Sequence, residues 1–394
     1  MKNRYILFIA LAVLTLGSAK AQNKVGEILN QIEINNTSLK ALKEQVEAEK
    51  ILNKTGLTLA DPEVEFAYLW GNPGDIGNRK DFSVTQSLDF ATITGAKKRV
   101  AEKENGLLDI SYKQERMAIM QEARELLTQL VYSNTFIEEL EKRKSNAELL
   151  DNSYRTRLKS GDANILEVNK TALNLSTVDA ELTQARIERT TLIERLQALN
   201  GGVMAEFNTT TYEPGINGNF EEWYAQVEAV NPALQYLRGE IEANEERVNL
   251  NKKQGLPSFS AGYMSEVVAG QSYRGVSVGV SIPLWSNKNK VKQAKAALKA
   301  SETKMQDAKM QFYYSLKSLY NKAQEQQQVA TGYRKALQAL NNESLLEKAL
   351  NAGQISLLEY MMEISLYYDA VNKALEAEKE YRISEATLIS LTSN

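Results

Sequence analysis

Residues 156–169, Thr-Arg-Leu-Lys-Ser-Gly-Asp-Ala-Asn-Ile-Leu-Glu-Val-Asn, return as residues 348–361, Lys-Ala-Leu-Asn-Ala-Gly-Gln-Ile-Ser-Leu-Leu-Glu-Tyr-Met. In each copy a leucine (Leu158, Leu350) stands three residues before the glycine, and a Leu-Glu pair ends on Glu167 or Glu359 six residues after it. Gly161 and Gly353 are 192 residues apart, so the chain reads as one unit written twice. A glycine between two long apolar-periodic runs is a helix C-cap, where a left-handed residue lets the chain reverse. Each half is therefore expected to hold a long helical hairpin with this turn at its tip. One copy alone would mean no more than a helix reversal; two point to a shared architecture.

The rest of the chain follows the same duplicated plan. A first helix is expected over about 25–54, with Ile28, Ile32, Leu39, Leu42 and Val46 at helical spacing and a break near Asn36-Thr37-Ser38-Leu39. Pro62 then changes the period. Val64, Phe66, Tyr68 and Trp70 alternate with Glu63, Glu65, Ala67 and Leu69, and Phe82, Val84, Leu88 and Phe90 alternate with Ser83, Thr85, Ser87 and Asp89. Period two predicts strands over about 62–70 and 82–90, separated by a loop rich in Gly, Pro, Asn and Asp. From 96 to 159 there is no proline and one internal glycine, Gly106, which predicts a helix of about 95 Å at 1.5 Å rise per residue. A return helix follows to about 199. Such lengths belong to coiled-coil-like assemblies rather than globular domains.

Residues 201–220, with three glycines and Pro214 before Gly218, read as a connector. The plan then restarts. A helix over about 221–253 carries Asn231-Pro232-Ala233-Leu234 where Asn36-Thr37-Ser38-Leu39 stood, and Pro257 opens a strand 195 residues after Pro62. Strands are predicted over about 257–266 and 274–285. In the second, Val276, Val278, Val280, Ile282 and Leu284 alternate with Gly275, Ser277, Gly279, Ser281 and Pro283. Helices over about 288–350 and 355–390 flank Gly353. The expected domains are thus 1–21, 22–200, 201–220 and 221–394.

Residues 1–21 have the form of a secretory signal: Lys2 and Arg4, an apolar run from Tyr5 to Leu16 broken only by Thr15, and Ala19-Lys20-Ala21 before the cut. A retained anchor is the alternative. Removing the signal takes the net charge from −3 to −6, which does not suggest nucleic acid. The chain has no His and no Cys, so zinc sites, Ser-His-Asp triads, Cys-His dyads and disulfides cannot be built. No motif gathers its acids, Lys and Tyr, and no Gly-rich phosphate loop occurs. The expectation is a non-enzyme without cofactor or metal. Met361-Met362 could suggest a soft-metal site, although paired Met on a helix more often packs.

Strands of about nine residues can cross a bilayer when tilted. Open sheet edges are not tolerated in lipid, and four strands cannot close a barrel with an interior. A membrane role therefore requires several chains, with Val64, Phe66, Tyr68, Phe82, Val84, Val276, Val278, Val280 and Ile282 toward lipid and the small polar positions toward a wet lumen. An antiparallel sheet packed on a helix gives the same alternation.

The order helix, strand hairpin, long helix, Gly turn and return helix, twice over after a signal, resembles the TolC-like outer-membrane efflux proteins. The most specific pieces are Asn231-Pro232-Ala233-Leu234, Gly255-Leu256-Pro257-Ser258-Phe259, Val280-Ser281-Ile282-Pro283-Leu284-Trp285 and the two glycine segments. The resemblance implies a mainly α homotrimer: a 12-stranded outer-membrane β-barrel continuous with a periplasmic α-barrel, in a Gram-negative bacterium. It implies a passive exit duct docked through a periplasmic adaptor to an inner-membrane transporter. Gly161, Gly353, Leu158 and Leu350 would then lie at the periplasmic tips, where adaptors dock. Glu167 and Glu359 map to the aperture, although Lys170 and Met362 stand where some members carry a second acid, and both glutamates are otherwise solvated helix residues. Lys97, Lys98, Arg99, Lys288, Lys290 and Lys292, just after each half's last strand, would meet phosphates of the inner leaflet, with solubility as the alternative. The other class to weigh is a periplasmic coiled-coil scaffold or adaptor without a pore.

Overall fold

A computed structural model describes residues 24–392 except 73, 75, 89, 90, 216, 217 and 341. The signal segment, Asp89 and Phe90 lie outside the described residues. The chain forms two compact units. One draws on residues up to Lys40, Glu115–Val230 and from Tyr313 on; the other on Ala41–Gln114 and Asn231–Phe312.

In chain order the elements are α1 (residues 24–35), α2 (Thr37–Leu52), β1 (Glu63–Leu69), β2 (Arg79–Leu88), α3 (Ala91–Ser160), α4 (Ile165–Leu199), α5 (Phe220–Val230), α6 (Pro232–Lys253), β3 (Ser258–Val268), β4 (Gln271–Ser281), α7 (Lys290–Ala339), α8 (Glu343–Asn351) and α9 (Leu357–Ser390). The helices expected over 25–54 and 221–253 are each two. Asn36 and Asn231, 195 residues apart in sequence and both buried, stop one helix and cap the next. The Asn36 side-chain oxygen accepts from Leu39 N at 2.9 Å, and its amide donates to Leu199 O at 2.8 Å. The Asn231 oxygen accepts from Ala233 N and Leu234 N, with Pro232 at the first helical position, where its missing N–H costs nothing.

α3 is one helix of 70 residues, about 105 Å long, and starts five residues before the expected 96. Its counterpart is not continuous: α7 ends at Ala339 and α8 begins at Glu343, where one helix over 288–350 was expected. Leu340, Asn342 and Ser344 surround the break, and Asn and Ser compete for the backbone in helix interiors.

In the first unit the core is a file of large aliphatics. Leu140 on α3 packs on Leu182 and Ala185 of α4, with Phe136 and Ile137 against them. The connector over 201–215 is held by side chains bonding its backbone. The Asn134 amide donates to Phe207 O at 3.2 Å and Thr209 O at 3.0 Å, and Phe207 is 1% exposed. Arg124 donates to the Glu213 carboxylate at 2.9 Å; burial nevertheless pushes the Glu213 carboxyl up. Arg382 lies between Glu378 and Glu385, both at 2.8 Å, and donates to Glu213 O.

The second unit holds the sheet, antiparallel in the order β1-β2-β3-β4. Beside it, ion pairs link α3 to α6: Arg99 to Glu246 at 2.9 Å, Lys103 to Glu242 at 2.6 Å and Arg247 to Glu104 at 2.7 Å. The β3–β4 hairpin turns through Ala269 and Gly270 alone, both at positive φ (50° and 86°), a type I′ geometry that matches strand twist. β4 therefore begins at Gln271, not 274. It ends at Ser281 because Pro283 has no N–H for a ladder, so Ile282 lies past the strand rather than in it.

Candidate functional site

Two features collect the chemistry this chain offers: the paired glycine turns and the two-faced sheet. At the first turn Gly161 sits at φ 82°, its N–H donating to Leu158 O at 3.2 Å, while Asp162 N donates to Arg157 O at 2.8 Å. At the second Gly353 sits at φ 67°, with Gly353 N to Leu350 O at 3.0 Å and Gln354 N to Ala349 O at 2.9 Å. Both are Schellman caps. A Cβ on either glycine would meet nothing within 4 Å, so the requirement is conformational, not spatial.

The return helices start alike. The Asn164 oxygen accepts from Glu167 N at 3.0 Å and the Glu167 carboxylate accepts from Asn164 N at 2.8 Å; Ser356 and Glu359 exchange the same two bonds at 3.2 and 2.8 Å. These are capping boxes. The backbone and hydroxyl of Ser356, as donors, hold the Glu359 carboxyl below the usual range. Glu167 and Glu359 thus have a local task in addition to the aperture role the resemblance implied.

The structure brings the two turns together, which no local pattern announces. Tyr154 of α3, Val168 of α4 and Leu357 of α9 form one buried cluster, with Leu158, Ala163 and Met361 against it. Next to it a cleft of about 110 Å³ is lined by Asn146, Leu150, Tyr154, Glu343, Leu350 and Tyr360. The Glu343 carboxylate at the start of α8 takes the Asn146 amide at 3.1 Å and the Tyr368 hydroxyl at 3.4 Å, tying α8 to α3 and α9. Below it, buried Asp151 accepts from the Thr171 hydroxyl at 2.9 Å. Met361 packs inward while Met362 is 64% exposed, so the pair does not converge on a metal. Among the described residues no group of three or more carboxylates is placed to hold one.

The sheet register gathers most of the predicted lipid-facing residues on one face. Val64 pairs with Val84, Val84 with Tyr263 and Tyr263 with Val276; Phe66 pairs with Phe82; Ala261 with Val278; Phe259 with Val280. Tyr68 continues that face opposite Lys80. Leu88, Phe259 and Tyr263 belong to it too; their period-two pattern was the available signal. Among the described residues of the unit none covers the β4 side of the face: Val276 is 83% and Val278 78% exposed. The opposite face carries Glu63, Glu65, Ser83, Thr85, Ser260, Gly262, Ser277 and Gly279, with Arg79 paired to Asp81 and Glu266. β1 and β4 are edge strands with unpaired backbone.

The six basic candidates divide. Arg99 is committed to Glu246 and Lys97 is half-buried, whereas Lys98, Lys288, Lys290 and Lys292 are exposed. Among the described residues no helix is long and apolar enough to cross a membrane.

Comparison with known proteins follows the same lines. Residues 223–394 match the family model described as outer membrane efflux protein. No curated protein matches the chain by sequence. Among solved structures, CusC, described for its folding and transmembrane channel formation, superposes with TM-score 0.78 at 12% identity, covering 94% of this chain and 92% of its own. The outer-membrane channel OprN gives 0.76 at 14%, covering 94% and 90%. The outer membrane protein VceC from Vibrio cholerae gives 0.73 at 12%, covering 96% and 98%.

Proposed function

We propose that the protein is the exit duct of a tripartite efflux system: residues 223–394 match the family model described as outer membrane efflux protein, and 94% of the chain shares the fold of the outer-membrane channel OprN and of CusC. It conducts substrate passively from a periplasmic adaptor and inner-membrane transporter to the outside. The observation that carries this is the sheet: an uncovered apolar face, a small polar face behind it, and two open edges. Such edges cannot stay unpaired in lipid. Four strands cannot close alone, but three copies joined β4 to β1 make a closed barrel of twelve, with the polar face lining the lumen.

On this reading residues 22–200 and 221–394 are two repeats joined by the connector 201–220, and the helices of three chains enclose a periplasmic α-barrel. The turns at Gly161 and Gly353, with Leu158 and Leu350, are the adaptor-docking tips, and Glu167 and Glu359 border the aperture. One oxygen of each carboxylate serves the cap. Lys98, Lys288, Lys290 and Lys292 face the inner leaflet.

A scaffold or adaptor without a pore would also use helical hairpins, but it gives no reason for 83% exposure of a valine in the middle of a strand. Two measurements separate the readings. A duct stays in the outer-membrane fraction after salt and carbonate washes and gives stepwise conductance in a planar bilayer. A protein that washes off and never conducts is the scaffold.

A further inference from the structure

The sheet sorts its charges by face. All four acids in the strands, Glu63, Glu65, Asp81 and Glu266, lie on the polar face with Arg79, which pairs with two of them. The apolar face holds two charges, both positive: Lys80 on β2 and Arg274 on β4. Both are exposed, and both lie at the hairpin end of the sheet, remote from the strand ends that run on to the helices. A cation on a lipid-facing strand is tolerated near the interface and disfavoured at the midplane. Lys80 and Arg274 lie nearer the hairpin turns than the rows of Val64, Val84, Val276 and Val278, which on the duct reading is interface depth. Aromatics mark the same level: the Lys80 ammonium stands 5.7 Å from the Tyr68 ring centre, and Trp70, 83% exposed, lies edge-on to Tyr68 at 5.3 Å. Exposed Trp and Tyr collect at membrane–water boundaries.

We propose that Lys80 and Arg274 bind the phosphates of a phosphorylated glycolipid in the outer leaflet of the membrane. The inference rests on the duct reading, which turns this face toward lipid. Two strand spacings and two residues of rise put the two Cα atoms about 12 Å apart. That separation suits a head group bearing phosphates on both ends of a sugar pair better than a single phosphodiester. With no carboxylate on this face, nothing in the sheet neutralises the two cations or repels phosphate. Arg274 offers the planar fork that fits phosphate oxygens, and Lys80 a point charge on a stem long enough to reach the head-group level.

The test uses the full-length protein reconstituted in phosphatidylcholine vesicles. To these is added bis-phosphorylated lipid A, its dephosphorylated form, or phosphatidylglycerol, and the thermal denaturation midpoint is read. Wild type should gain several degrees from phosphorylated lipid A alone, as a ligand binding the folded state does. The double variant Lys80→Gln/Arg274→Gln should insert, keep its midpoint in phosphatidylcholine and lose more than half of that gain. A control, Lys288→Gln/Lys292→Gln, should keep it. An equal gain in the double variant, or the same gain from dephosphorylated lipid or phosphatidylglycerol, overturns the assignment while leaving the duct intact. A wild type that inserts into no vesicle overturns both.

Discussion

At the level of single residues the two turns are set by backbone conformation. Gly161 and Gly353 hold φ values of 82° and 67° with open space where a Cβ would go. Alanine at either should cost about 1 kcal/mol, and valine more, because the left-handed region strains L-residues. Gly161→Val or Gly353→Val should therefore insert normally yet impair export, as a transport assay beside a fractionation would read. Glu359 adds a pH signature. Its carboxyl is depressed by bonds from Ser356, so the charged form is favoured in the fold. The stabilisation is present above the ordinary glutamate pKa and is lost as pH falls through the depressed folded value. Amide protection around Ser356, measured relative to the intrinsic exchange rate at each pH, should fall in that acid window, and Glu359→Gln, which keeps an acceptor for the cap, should flatten the dependence. The glycines were legible because a left-handed C-cap is a local demand. The capping boxes were equally local, as Asn164-x-x-Glu167 and Ser356-x-x-Glu359, but the glutamates were first read through their place in a pore.

At the level of elements, alternation and periodicity located strands and helices, and what they missed was set by caps and turns. The break at Asn36 was expected, but Asn231 divides a helix that apolar spacing joins, because spacing carries across a cap. Asn36→Ala should remove the cap and strand Leu199 O, at about 1–2 kcal/mol, measurable as a fall in thermal midpoint. The strands flanking the β3–β4 turn were expected to end at 266 and resume at 274, but the turn is the pair Ala269–Gly270, whose I′ geometry puts Ala269 at positive φ. Ala269→Asn makes the favoured Asn-Gly pair and should stabilise the hairpin by about 0.5–1 kcal/mol. A lower midpoint in that variant would contradict the turn assignment. The break between α7 and α8 has no partner in α3, so the halves differ where duplication predicted identity. The tip cluster joining Tyr154 to Leu357 and the Arg99–Glu246 pair link segments far apart in sequence, which no pattern along the chain encodes.

At the level of the whole molecule the proposed duct is a closed ring of three chains, sealed where β4 of one copy meets β1 of the next. The absence of cysteine makes this directly measurable. Cysteine pairs are placed in one chain, Val64→Cys on β1 with Val276→Cys, Val278→Cys or Val280→Cys in turn on β4, and the outer-membrane protein is cross-linked with short bifunctional thiol reagents. A sealed ring of three predicts that at least one pair yields covalent species of one, two and three chains and nothing larger. A ladder extending past three, or monomer alone for every pair, would contradict it.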